Sequence, residues 1–95
     1  MDDQKTLIEF CMRQRDSFSA DEWVAAARMG DTKHKIRIGL AAYVLSRVPW
    51  FGHSGDLISI SHRLLGKKKD DLAELSKEAQ FEPGVFLASI SSRKP

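Results

Sequence analysis

Few side chains in this 95-residue chain could carry chemistry, and they are scattered. There is one cysteine, Cys11, and three histidines, His34, His53 and His62. None of the histidines stands four residues from another histidine or from the cysteine, so the helical spacing that shares a zinc ion is missing, and neither metal nor cofactor is expected. Paired carboxylates occur at Asp2-Asp3 and Asp70-Asp71. Each pair falls where a helix would begin, so the positive end of a helix dipole explains it better than acid–base work does. Gly52 and Gly55 mark a turn, not a phosphate-cradling loop, and no nucleophile, base and orienting acid can be assembled. A non-catalytic protein is expected. The histidines read as solvated polar side chains. Cys11, inside an apolar stripe, reads as a small buried hydrophobe.

What remains is charge. Residues 31–69 carry eight bases and two acids, whereas the segments before and after are each net negative by two. Such a cationic block creates a local field that attracts a polyanion, if folding gathers it on one surface. Composition sets the frame: 42% apolar and 29% charged residues describe one globular domain over 1–95, not a disordered chain. No apolar run reaches the roughly 20 residues needed to span a bilayer. The acidic start lacks an apolar leader segment, and a lone cysteine suits a reducing compartment, so a cytoplasmic location and no membrane are expected.

The elements that must position these charges follow from pattern. Leu7, Ile8, Phe10, Cys11 and Met12 give a helix over about 3–15, ended by the polar run Gln14-Arg15-Asp16-Ser17. Ser19 and Glu22 form a capping box for a second, short helix, with Phe18 and Trp23 placed for a hydrophobic staple. Gly30 stands where a helix-terminating glycine would. Asp31 or Thr32 then caps a third helix to about Arg47, whose apolar rows are Ile36, Leu40, Val44 and Ala41, Leu45, Val48. Gly39 within it suits a close helix crossing, and Pro49 stops it. Trp50-Phe51, the turn Gly52-His53-Ser54-Gly55 and the alternation over 57–62 predict a β-hairpin. A last helix is expected over about 70–80, followed by a tail, 85–90, that fits either a strand or a short helix.

Helix, helix, a turn at Gly30-Asp31-Thr32, helix and hairpin resembles, over about residues 4–65, the winged helix-turn-helix domain. The fold class expected is therefore α+β, mostly helical: three helices, a β-hairpin wing and a C-terminal helix with a docking tail over about 70–90. The resemblance implies a small transcriptional regulator that binds double-stranded DNA, reading the major groove with the start of its third helix; a single module offers limited interface area, so a homodimer is expected. The residues placed there are Thr32, Lys33, His34, Lys35 and Arg37, with Arg37 suited to a bidentate guanine contact. His53 and Ser54 would form the wing tip, and Lys67, Lys68 and Lys69 would anchor a flanking phosphate. The wing tip has no lysine or arginine of its own, and Trp50-Phe51 suits the core better than a wing base. Two other readings stand beside this one. The fold could serve as a protein-binding inhibitor or adaptor, with the lysine run merely solvated. Residues 57–65 and 70–80 could also form a second helix-turn-helix, against which the alternation over 57–62 argues.

Overall fold

The computed structural model describes residues 2–66 and 71–93, with side chains from residue 5 onward. These residues form six helices and no strand: α1 (Asp2–Asp16), α2 (Ala20–Arg28), α3 (Thr32–Leu45), α4 (Ser54–Leu65), α5 (Leu72–Glu78) and α6 (Pro83–Ser91). The expected α+β, winged-helix class is overturned, because the segment assigned to the wing is α4.

The reason lies in Ser61 and Ile58. Leu57, Ile60, Ser61, Leu64 and Leu65 are buried, a spacing of three and four over two turns, whereas Ile58 is 40% exposed. A strand would place Ile58 and Ile60 on one face. A buried serine breaks the apolar pattern of a helix to the eye but not in the fold, since its hydroxyl donates to the carbonyl of Ile58 at 2.8 Å. Trp50 and Phe51 sit in the turn before α4, with Phe51 in the core. The chain reverses there through two left-handed residues, Gly52 (φ 82°) and His53 (φ 58°). The pairing of helices over 57–65 and 70–80, set aside on the alternation, is closer to the observed elements α4 and α5. The tail is helical, with Pro83 at the first turn of α6 where its missing N–H costs nothing.

α3 is the central helix. It packs on α2, α4, α5 and α6, while α1 packs on α6. Its largest interface, with α4, requires Gly39: a Cβ there would stand 2.7 Å from Cδ2 of Leu65 and 2.9 Å from its Cγ. One core runs through the molecule, from Ile8 and Cys11 past Trp23, Leu40 and Leu57 to Phe86 and Ile90.

The joint between α1 and α2 differs from a simple capping box. Ser19 Oγ accepts from the N–H of Glu22 at 3.3 Å, as expected. The return arm is taken by Gln14, a fully buried residue. Its Oε1 accepts from the N–H of Ser19 at 2.8 Å, and its amide nitrogen donates to the Glu22 carboxylate. The staple is redirected as well: Phe18 stacks on His53, and Trp23 meets Phe10 edge-on at 4.9 Å.

Candidate functional site

The cations of the α3 start diverge according to helix geometry. Lys33 and Arg37, one turn apart, face α5. The ammonium of Lys33 donates to Oε1 of Gln80, and Nε of Arg37 donates to the carbonyl of Ala79 at 2.7 Å. Both therefore serve the C-terminal end of α5, where carbonyls lack helical partners and a positive charge is favoured. That end is a Schellman turn: Gln80 is left-handed (φ 54°), its N–H goes to Lys77, and the N–H of Phe81 returns to Ser76 at 2.8 Å.

His34 also has a structural task. Its Nε2 lies 2.8 Å from the carbonyl of Ala26, tying the end of α2 to the start of α3. Its expected status as a solvated side chain does not hold. The same contact explains Gly30, which is not left-handed: a Cβ would sit 2.6 Å from the imidazole. Asp31 caps α3 as expected, accepting from the N–H of His34 at 2.9 Å.

Thr32 and Lys35 are the exposed residues of α3, so the helix is most open to solvent at its start. They line a depression of about 390 Å³ together with Arg28 from the end of α2 and Arg63 from the end of α4. No carboxylate pairs with Arg28, Lys35 or Arg63 among the described residues. Asp31, also in this wall, keeps its negative charge while capping α3, so three cations face one carboxylate here.

His53 and Ser54 are exposed at the opposite end of α4 from Arg63, roughly 15 Å away at 1.5 Å per residue. His53 stacks on Phe18 with ring centroids 4.8 Å apart. They do not join the depression. Lys67, Lys68 and Lys69 lie outside the described residues. Of the ten side chains expected at a DNA interface, the structure thus gathers Thr32 and Lys35, and sends Lys33, His34 and Arg37 to intramolecular partners.

Arg28 and Arg63 were missed as site residues. Arg28 had a readable signal, a cation in the last turn of a helix ended at Gly30. Arg63 carries none, because the alternation over 57–62 reads as a strand. No group of three histidine, cysteine or acidic side chains able to hold a metal occurs among the described residues. Among them, no helix is long and apolar enough to cross a membrane. No family model, curated protein or solved structure matches the chain.

Proposed function

We propose that the protein is a non-catalytic nucleic-acid-binding regulator that grips phosphates with the corner built by Arg28, Lys35 and Arg63. The observation that supports this is their arrangement: three cations from three helices line one concavity without a carboxylate partner among the described residues. Thr32 lies in the same wall, and its hydroxyl can donate to a phosphate oxygen. The binding is electrostatic and weakly selective for sequence, since phosphate contacts position a protein without reading bases. Three contacts are few, so the protein acts as a dimer that doubles them, in the cytoplasm.

The test is fluorescence anisotropy with a labelled random-sequence DNA duplex across a salt series. Three phosphate contacts give a slope of log K on log salt of roughly −2.7 per monomer. The triple variant Arg28→Ala/Lys35→Ala/Arg63→Ala should bind with a slope near zero. A flat response in the wild-type protein discards the reading. A protein-binding module gains less support from the exposed apolar residues. Val85 and Leu87 on α6 flank the buried Phe86, about 200° apart around the helix, and so form no single face.

A further inference from the structure

On the far side of α3 from Lys35, a groove of about 1140 Å³ runs between α1, α3 and the α5–α6 turn. Its apolar lining comes from Leu7 and Phe10 of α1, Ile38 of α3, and Phe81 and Phe86, whose rings lie 5.2 Å apart. Its charged lining is layered by depth. Lys33 and Arg37 are half-buried, whereas the carboxylates in the lining, Asp31 and Glu82, belong to exposed residues. Asp31 is already engaged as the α3 cap.

The geometry points to a binding site for an apolar carboxylate of the fatty-acid type, its head on Lys33 and Arg37 and its chain along Leu7, Phe10 and Met29, over a floor of the buried Ile38, Phe81 and Phe86. The groove is of the scale of small-molecule sites, with an apolar lining and a few convergent polar groups. The two cations have donors to spare. A guanidinium carries five N–H donors, and Arg37 gives Nε to a neutral carbonyl. Lys33 likewise meets a neutral amide oxygen. Neither has an ion-pair partner among the described residues. Partly desolvated cations one helical turn apart match the two oxygens of a carboxylate, and charge-assisted bonds of that kind are the stronger ones. The wall is preformed, because the Schellman turn and the Arg37–Ala79 bond fix Gln80 and Phe81 before any ligand arrives. This site meets the Arg28–Lys35–Arg63 corner at Gly30 and Asp31, which line both, but it uses other cations and does not depend on the corner's function.

The experiment titrates isotope-labelled protein with dodecanoate and, separately, with dodecyltrimethylammonium, both below their micelle thresholds. Saturable amide shifts at Phe10, Ile38 and Phe81 are expected for the carboxylate, with affinity for the cationic amphiphile at least tenfold weaker. Lys33→Ala should weaken dodecanoate roughly tenfold, the loss of one charge-assisted hydrogen bond. Arg47→Ala, an exposed cation past the far end of α3, should leave it unchanged. If Lys33→Ala proves poorly folded, Thr6→Trp at the exposed rim of the groove serves instead and should abolish binding by occupying it. Equal response to both head groups, shifts that miss the groove, or full affinity in folded Lys33→Ala or Thr6→Trp overturns the proposal.

Discussion

Nε of Arg37 donates to the carbonyl oxygen of Ala79 at 2.7 Å, joining the third helix to the end of the fifth across 42 positions of sequence. A cation at that place meets carbonyls left open by the helix end and the negative pole of its dipole. Arg37→Met keeps the aliphatic packing and removes the donor. It should destabilise the protein by about 1.5–3 kcal/mol, the range for a hydrogen bond to a charged group. Lys35→Ala, at an exposed position, should change stability by less than about 0.5 kcal/mol. Urea unfolding of both variants checks the contrast, and equal effects would refute the structural role of Arg37.

Gln14 joins α1 to α2 by bonding Ser19 and Glu22 at once. Gln14→Leu fills the same buried space but strands the N–H of Ser19, so a loss of about 1–3 kcal/mol is expected. Because Glu22 shares the network, the double variant Gln14→Leu/Glu22→Ala should lose less than the sum of the singles. A strictly additive cycle would show that the contact carries no coupling.

Much of the chain could be read because its signals are local. Ser19 and Asp31 announce helix starts, Pro49 and Pro83 announce breaks, and the apolar rows of α1 and α3 are long enough to fix a period. The failure at 57–62 is one of window length. Six residues with a buried serine fit a period of two as well as one of 3.6. The distinction comes from Leu64 and Leu65, which complete a second helical turn only if the segment is followed past His62. The site was harder, because charge along a chain does not say which way a side chain faces. Lys33, Lys35 and Arg37 are close in sequence, yet helix geometry alone sets Lys35 apart from the other two. What engages Lys33 and Arg37 is the end of α5, more than 40 residues away.

Gly39 lets α4 lie directly on α3. Gly39→Ala would place a methyl 2.7 Å from Leu65 Cδ2 and 2.9 Å from its Cγ. Leu65 is buried and cannot withdraw into solvent. Alanine favours helix by about 1 kcal/mol over glycine, while overpacking a core costs typically 1–3 kcal/mol. The net expectation is a protein less stable by up to about 2 kcal/mol. Gly39→Ala/Leu65→Val should recover part of that loss, because it trims the atoms that clash. Thermal unfolding of the two variants decides it: a single variant more stable than the parent, showing the helix-propensity gain with no clash to offset it, would mean that the helices are not in contact here.

Cys11 is fully buried, and burial pushes its thiol well above the ordinary range near 8.5, because the thiolate would be desolvated. The nucleophilic thiolate is therefore withheld in the folded state. Thiol-specific labelling at pH 8 should be slow in buffer and rapid in denaturing urea. The linkage has a definite sign. The folded state keeps the proton where the unfolded chain releases it, so this group's contribution is intact below about pH 8.5 and falls as pH rises above it. The slope approaches 1.4 kcal/mol per pH unit. Cys11→Ala leaves a small cavity but no ionisable group. Its stability between pH 8 and pH 10 should therefore decline less steeply than that of the parent, measured by urea midpoints at each pH. Parallel declines would show that Cys11 is accessible to water in the folded protein.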